Sequence, residues 1–242
     1  NRLCLLERRE PTADSIDTQS TRSVLNELYE DNDNRTEQKT FLKARALDFL
    51  IADWDRHFDQ WRFAERDTGK GKLYFPIPRD SDNGFFKSAR LIIKLASKNE
   101  LPFLTGFNKE LQEIKWLAHS GRDLDRLFLH QLEESDWKEV ITSFTNGLTD
   151  STIKMAVQNL PPEIYAINGK DFEKKLMARR DQMLKEMIRY YRFVSEEVNI
   201  VGSNKKEYFK VTGRNDSLLV QVFERTSEIN EGPLMYERAF SA

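Results

Sequence analysis

Cysteine and histidine are scarce in this sequence, and their scarcity excludes several kinds of site. The one cysteine, Cys4, cannot supply an intramolecular disulfide framework or a cysteine-rich zinc knuckle. The three histidines, His57, His119 and His130, are scattered along the chain and argue against a His-rich zinc site. Cysteine usage therefore leaves the redox compartment open.

Long apolar runs and an excess of one charge are also missing. The 38 basic and 40 acidic residues give a formal charge of −2, so no nucleic-acid or polyanion partner is expected. No run approaches the roughly 18 apolar residues of a membrane-spanning helix, and the first residues lack a signal-peptide pattern. Because the sequence begins at Asn1 and not at methionine, we interpret it as a processed product or a piece of a longer protein.

Turn-forming and apolar residues predict a loop followed by a helix. Residues 8–23 are polar and turn-rich, which is typical of a loop. From Asn34 the apolar spacing predicts an amphipathic helix, with Asn34 as N-cap and Glu37 as its capping-box partner. The predicted apolar stripe contains Phe41, Ala44, Leu47 or Asp48, Leu50, Ile51 and Trp54.

The segments QWRFAE and KLYFPIP predict a β-hairpin around a glycine-containing turn, with Pro76 and Pro78 ending its second strand. From there to about Val198 the pattern is helical. Ser135 and Asp171 are candidate N-caps, and Gly147 and Gly202 are candidate terminators. The predicted helical segments are LIIKLASK, NKELQEIKWLA, DLDRLFLHQL, SDWKEVITSFTNGL, DSTIKMAVQNL and residues 171–198.

The last helix carries an apolar stripe that we expect to pack in the core, whereas the charges of ARRDQMLK are expected on a solvated face. The stripe contains Leu176, Met183, Leu184, Met187, Tyr191, Val194 and Val198. Further strands are predicted in 207–225, around a GRND turn, and in PLMYERAF.

The expected fold is α+β, mainly helical with small hairpins. Its predicted parts are a polar N-terminal segment (1–33), a helical lobe with the hairpin (34–202) and a β appendage (203–242).

Two acidic segments flank the predicted hairpin and are the strongest candidate site. DWDRHFDQ (53–60) precedes it and RDSDNGFF (79–86) follows it. An isolated acid near an apolar core is costly without a partner or a metal, so the first segment is either a solvated turn or a cation-binding loop. The hairpin can bring the two segments face to face, which predicts that Asp55 and the acids at 80 and 82 share one divalent ion.

DWDRHFDQ resembles the D-R-H catalytic loop of the atypical kinases: the HipA-type and spore-coat CotH-type kinases, the secretory-pathway casein kinases and, more distantly, the phosphatidylinositol kinases. The resemblance implies a kinase large lobe with Mg²⁺ and ATP as cofactors, a nucleotide partner, and transfer of the γ-phosphoryl group to a hydroxyl on an unknown protein or glycan.

The resemblance also assigns residues. It makes Asp55 the catalytic base, with Arg56 and His57 completing the catalytic loop, and His57 buttressing it. It places Gln60 at a metal-ligand and cofactor-binding position. PRDSDNGFF is similar to the second metal motif of these kinases, with Asp80 or Asp82 as the magnesium carboxylate. Arg79 is either a salt-bridge brace or a phosphate contact.

Nearly the whole chain is similar to a region of large envelope proteins of Gram-negative bacteria that can also carry a calcineurin-like metallophosphoesterase and a surface-antigen barrel. This similarity implies a periplasmic or outer-membrane-associated location, with a cytoplasmic one left open, and adjacent domains of a larger envelope protein as partners. The segments that carry it are FLIADWDRHFDQWRFAE, YFPIPRDSDNGFF, LPPEIYA, ARRDQ and YYRFVSEEVNIVGS.

The sequence departs from the kinase pattern at Gln60, where several of these families have Asn, and in the parts that clamp the nucleotide. It has no glycine-rich loop ahead of a strand and no Val-Ala-Ile-Lys-like strand, so the phosphate-clamping small lobe is missing from it. Two alternatives to a kinase therefore stay open: a catalytically inactive kinase-like scaffold, and a metal-dependent phosphoester hydrolase that uses the same carboxylates.

Overall fold

A computed structural model describes residues 17–86, 106–111, 114–226 and 231–241. Of these described residues, 47% are helical and 21% lie in strands, which confirms the predicted α+β class. The predicted helix LIIKLASK lies outside the described residues, as does most of the predicted loop 8–23.

The described helices and strands are bounded as follows. The strands are β1 (Thr18–Ser20), β2 (Arg35–Thr36), β3 (Trp61–Asp67), β4 (Lys72–Pro78), β5 (Glu207–Arg214), β6 (Ser217–Glu224) and β7 (Leu234–Ser241). The helices are α1 (Thr21–Glu30), α2 (Gln38–Ile51), α3 (Ile114–Leu117), α4 (Arg122–Phe128), α5 (Glu134–Gly147), α6 (Asp150–Gln158), α7 (Pro162–Ile164) and α8 (Lys170–Val194), with a π-helical turn over Tyr165–Gly169.

The predicted hairpin is confirmed as β3 and β4. The two strands pair antiparallel from Trp61 opposite Pro78 to Asp67 opposite Lys72, inside a sheet of order β1-β3-β4-β2. The prediction that Pro76 and Pro78 end the second strand is wrong for Pro76, because the strand continues to Pro78. This hairpin is the element that carries the two acidic segments, one at each end.

The loop predicted over 8–23 is wrong for 18–23. Thr18–Ser20 pairs with β3, and α1 begins directly afterwards, with the Ser20 hydroxyl accepting a hydrogen bond from the backbone N–H of Ser23 at 3.2 Å. Val24 is fully buried in the main core. Pairing with β3 and a serine cap therefore order this polar stretch.

Helix α2 begins three residues later than predicted. Glu37, not Asn34, caps it by accepting from the N–H of Thr40 at 2.5 Å. The Asn34 side chain instead accepts from the N–H of Lys72 at 2.8 Å and donates to the carbonyl of Glu27 at 2.8 Å. Asn34 thus joins α1 to the hairpin.

The structure decides between the two alternatives in the predicted stripe of α2. Asp48 is buried beside Phe41 and Leu50, whereas Leu47 is 44% exposed. Arg45 is buried as well, which the apolar spacing did not predict, because it is paired with Asp48 and with Asp125 from elsewhere in the chain.

The ends of the later helices also differ from the predictions. Helix α5 is capped by Glu133, whose backbone N–H donates to the carboxylate of Asp136 at 3.1 Å, and not by Ser135. Asp171 lies inside α8, which continues from the π-helical turn. Gly147 is the last residue of α5, whereas Gly202 lies well beyond the end of α8.

The apolar stripe of α8 is confirmed as core packing, because Leu176, Met183, Met187 and Val194 are buried, although Leu184 is exposed. The solvated face predicted for ARRDQMLK is wrong at Arg179, which is 1% exposed. Its guanidinium donates to the carbonyls of Leu50 at 2.7 Å and Phe49 at 2.6 Å. It donates as well to the carbonyls of residues 108 and 110, both at 3.1 Å.

The C-terminal strands form a second sheet of order β5-β6-β7, as predicted from their alternation. Val220, Val222 and Tyr236 form a small core on one face of this sheet. Arg238 attaches the sheet to the helical part by donating to the carbonyl of His130 and to the hydroxyl of Tyr191 at 3.1 Å.

Arg179→Met is expected to lower the free energy of unfolding by about 3 kcal/mol or more, because buried carbonyls at the end of α2 lose a charged donor. Arg180→Met is the matched control. Arg180 pairs with exposed Asp150 and Asp181 and donates to the Leu148 carbonyl at 2.9 Å, and the loss of these contacts is expected to cost about 1 kcal/mol. Urea unfolding of both variants tests this expectation, and equal losses would contradict it.

Candidate functional site

The first acidic segment starts where α2 ends. Ala52 takes a left-handed conformation with φ 60°, and the N–H of Asp53 returns to the carbonyl of Asp48 at 2.8 Å. A 3-10 turn over Phe58–Gln60 then leads into β3. As a result, Asp53 is buried, with 1% of its surface exposed, whereas Asp55 is half-buried at the rim of the loop, where the segment reaches the surface.

The second acidic segment starts where β4 ends and lies against the first. The N–H of Arg79 donates to the carbonyl of Gln60 at 2.9 Å, and the N–H of Phe85 donates to the carbonyl of Ile51 at 2.8 Å. The first residue of β3 pairs with the last residue of β4, so both segments lie at the open end of the hairpin.

Asn83 joins the two segments at their carboxylates. Its side-chain nitrogen lies 3.4 Å from Oδ2 of Asp55 and 3.0 Å from Oδ1 of Asp82. Asp55 and Asp82 therefore contact the same amide although the hairpin separates them in sequence. Asp80 is exposed, and its backbone carbonyl, 3.3 Å from the guanidinium of Arg56, is the group that faces inward.

Backbone strain is concentrated at this site. Ala52, Asp80 and Phe85 have φ values of 60°, 55° and 61°, in the left-handed region that residues other than glycine rarely adopt. Among the described residues the one other non-glycine of this kind is Asn215, in the turn between β5 and β6. Such strain persists where surrounding contacts impose it, and it clusters at functional sites.

The Arg56 guanidinium connects the two segments on their buried side. It is 1% exposed and donates to both carboxylate oxygens of Asp48, at 3.0 and 2.9 Å. It also donates to the hydroxyl of Ser81 at 2.9 Å and to the backbone carbonyl of Arg79. Arg56, which the sequence places in the catalytic loop, thus contacts protein groups of both segments and acts as a brace.

Arg56 belongs to a larger buried network of charged residues, because its partner Asp48 also pairs with Arg45. Arg45 donates to Asp48 at 2.8 Å and to Asp125 at 2.7 and 3.0 Å, and the hydroxyl of Tyr190 donates to Asp125 at 2.6 Å. Burial opposes the charge of Arg45, yet the carboxylates of Asp125 and Asp48 raise its pKa above the ordinary value. Burial raises the pKa of Asp125, against the opposing effect of Arg45.

Asp53 is the least compensated acid of this network. It lies 3.4 Å from the guanidinium of Arg56, which already faces Asp48 at shorter distance. Burial, and then the nearby charge of Asp48, raise the pKa of Asp53 from 3.8 to about 6. Asp53 is therefore poised to take up a proton in mildly acidic solution.

The remaining predicted site residues take different places. His57 caps the 3-10 turn, where its Nδ1 accepts from the N–H of Asp59 at 3.3 Å. The side-chain oxygen of Gln60, a predicted metal ligand, accepts from the N–H of His57 at 3.2 Å and is buried in this arrangement. The Arg79 side chain is exposed.

Sequence reasoning missed five residues of the site: Arg45, Asp48, Asn83, Asp125 and Tyr190. The spacing of Arg45 and Asp48, one helical turn apart in an apolar helix, was the available signal. No local signal pointed to Asp125, which lies 80 positions from Arg45.

Within the described ranges, no group of three or more His, Cys, Asp or Glu side chains forms a metal site. Mg²⁺ accepts as few as two carboxylates when phosphate oxygens and water complete its ligands, and Asp55 and Asp82, which contact the same Asn83 amide, are the two carboxylates that this site offers. No described helix has both the length and the apolar character needed to cross a bilayer.

Comparisons of the chain with protein-family models, with curated proteins and with solved structures found no match. The assignment to an atypical kinase therefore remains a prediction, and the geometry of the site carries the functional argument.

The buried Asp53 carboxylate is expected to make the fold more stable as the pH falls from about 7 towards 4. Its folded pKa of about 6 lies above the ordinary 3.8, so the folded state binds a proton before the unfolded state does. This gain grows as the pH falls through the folded value and is complete below the ordinary one.

Asp53→Asn removes this titration, and we expect the change in unfolding free energy over that pH range to differ from wild type by on the order of 2 kcal/mol. Urea unfolding at several pH values measures it. Asp59→Asn, which removes an exposed carboxylate of the same segment, is the control. Identical pH profiles for Asp53→Asn and wild type would show that Asp53 does not titrate in this way.

Proposed function

We propose that this chain carries the catalytic and metal-binding loops of an ATP-dependent phosphotransferase. The observation that supports this most directly is the meeting of Asp55 and Asp82 at Asn83, on strained backbone held by a buried arginine. Phosphoryl transfer requires little from a protein beyond positioning and charge compensation, and these two loops could supply both.

Asp55 is proposed as the general base. It is half-buried at the rim, where an acceptor hydroxyl can reach it. As the hydroxyl oxygen bonds to the γ-phosphorus, its proton passes to Asp55, and the bond from the γ-phosphorus to the β,γ-bridging oxygen breaks with its electron pair leaving on ADP.

Asp82 is proposed as the metal carboxylate, with Asn83 orienting it towards Asp55 at a nitrogen-to-oxygen distance of 3.0 Å. When bound, Mg²⁺ would neutralise charge on the β- and γ-phosphoryl oxygens. The exposed Arg79 guanidinium can contact a phosphate from the same edge. His57, Gln60 and Arg56 would act by fixing the loop, since their polar atoms are used within it.

A catalytically inactive scaffold is the second candidate, and the buried network favours it. Arg45, Arg56, Asp48 and Asp125 satisfy one another inside the protein and need no ligand to do so. Such a network stabilises two loops whether or not chemistry takes place on them. Nucleotide binding separates the two candidates.

MgATP at millimolar concentration is expected to raise the melting temperature, and label from [γ-³²P]ATP is expected in the chain or in added Ser, Thr and Tyr peptides. Asp55→Asn should reduce transfer by about 10²–10⁴-fold and Asp82→Asn should abolish the Mg²⁺-dependent shift. Asp59→Asn, in the same segment but exposed and outside the pair, should behave as wild type.

The opposite results are equally informative. No melting shift and no labelling would refute the phosphotransferase and favour the scaffold. Release of phosphate from p-nitrophenyl phosphate with Mg²⁺ and no acceptor, lost on Asp55→Asn, would point to a phosphoester hydrolase instead.

A substitution at Asp80 tests whether Asp82 or Asp80 is the carboxylate that binds the metal. Asp80→Gly should retain Mg²⁺-dependent nucleotide binding and raise the free energy of unfolding by up to about 1 kcal/mol, because glycine adopts φ 55° without strain. Asp59→Gly, in the 3-10 turn, is the matched control and should destabilise instead. Loss of the Mg²⁺ effect in Asp80→Gly would move the metal role from Asp82 to Asp80.

A further inference from the structure

The outer edge of β5 presents backbone groups that have no strand to pair with. In the order β5-β6-β7, β5 pairs with β6 on one side, and within the described ranges no strand pairs with its other side. The N–H of Arg225 donates to the carbonyl of Lys206 at 2.9 Å, which fixes the alternation of this antiparallel ladder. The N–H and C=O groups of the odd-numbered residues 207, 209, 211 and 213 therefore point away from β6. An open edge of this kind is a template for another strand.

The other edge strands among the described elements carry protection that β5 lacks. In the first sheet, β1 and β2 are only three and two residues long. On the far side of the second sheet, the pairing of β7 with β6 is interrupted by a register shift at Val222 and Phe223. The pairing of β5 is unbroken over all eight of its residues. Short strands and bulges prevent edge-to-edge association, so β5 is the edge at which association is possible.

The apolar side chains of β5 lie on the face of the sheet that carries the small core. Phe209 lies opposite Val222 of β6. Val211 lies opposite Val220, and opposite residues share a face of the sheet. Val220 and Val222 are buried, whereas Phe209 and Val211 are 43% and 58% exposed. The apolar face therefore extends past the part of the sheet that the helical part covers.

Gly213 leaves an open space on the same face. A Cβ added to Gly213 would meet no atom within 4 Å. Phe209 lies four residues earlier in the strand and thus on the same face. The strand therefore carries both an exposed ring and a space for a ring. Aromatic side chains that cover edge glycines stabilise strand pairs, so β5 is complementary to a second copy of itself.

We propose that two copies of this chain associate through β5, antiparallel about a two-fold axis at Val211, and join their three-stranded sheets into one sheet of six strands. In this register Val211 lies opposite Val211 of the second copy, and Phe209 of each copy lies opposite Gly213 of the other. Lys210 lies opposite Thr212 on the other face. The exposed apolar faces of the two β5 strands then cover one another at their junction. This association does not depend on the proposed phosphotransfer.

The neighbouring registers are less favourable. Because the odd-numbered residues must face each other across the new pair, the second strand can shift only by two residues at a time. A two-fold axis at Lys210 would place this cation directly opposite its copy, and like charges directly opposite destabilise a strand pair. An axis at Thr212 would place Phe209 opposite Asn215, which lies in the turn after β5. The register centred on Val211 avoids both faults.

Sedimentation velocity of the whole chain, from about 5 to 500 µM, measures the association. Wild type is expected to pass from one copy to two over this range. Val211→Lys places two cations at the two-fold axis and is expected to weaken the association about tenfold or more. Leu234→Lys is the matched control and should behave as wild type, because Leu234 is 50% exposed on the other edge strand of the same sheet.

Gly213→Val tests the space for the Phe209 ring. The free energy of unfolding is expected not to fall, because a Cβ at this position meets no atom within 4 Å and β-branched residues favour strands. The association is expected to weaken about tenfold, because the new side chain occupies the space that the ring of the second copy requires. A Gly213→Val variant that associates as tightly as wild type would refute this register.

Disulfide formation identifies the register independently. In a Cys4→Ser background, Val211→Cys is expected to link two copies under mild oxidation, because directly opposite Cα atoms of this kind lie about 5.5 Å apart. Lys210→Cys is the control and should not link, because its two copies are offset along the strands by two residues. Linkage at 210 and not at 211 would overturn the register. A chain that stays monomeric at about 500 µM would overturn the proposal and leave β5 as a free edge or one covered by another segment.

Discussion

The buried guanidinium of Arg56 is the interaction on which the candidate site depends. A cation at 1% exposure is stable only when acceptors surround it, and here they come from the end of α2 and from both acidic segments. Asp48 receives two of its hydrogen bonds, and Ser81 and the Arg79 carbonyl receive others. The hydrogen bonds of the Arg56 guanidinium therefore fix the distance between the two segments, and this distance brings Asp55 and Asp82 to the same side-chain amide.

This arrangement carries costs that the rest of the fold must offset. The network buries three carboxylates, Asp48, Asp53 and Asp125, with the two guanidiniums of Arg45 and Arg56. Burial, and then the nearby charge of Asp48, raise the pKa of Asp53 to about 6. The backbone is also strained at Ala52, Asp80 and Phe85. A loop that only connected two elements would require neither buried charges nor strained backbone. Their presence favours a function that depends on the geometry of the two segments.

Periodicity predicted the elements well where one face is apolar, as in the β3–β4 hairpin and the stripe of α8. It failed where charges are buried. Arg45 and Arg179 look solvent-facing by spacing, and their compensation comes from groups such as Asp125 and the Leu50 carbonyl, 80 and 129 positions away in sequence. The site was predicted through its motifs, but Asn83 was not, because its role exists only once the two segments meet.

The same network determines which residues can reveal function. Exchanging Arg56, Arg45 or Asp125 would disturb an enzyme and a scaffold alike, because each is buried and leaves a charged partner unpaired. Asp55 and Asp82 lie outside this pairing and contact the amide of Asn83. Neither carboxylate pairs with the buried guanidiniums, and an Asp→Asn change keeps an oxygen that can accept from Asn83, so a loss of binding or transfer in such a variant can be assigned to the ligand and not to the fold.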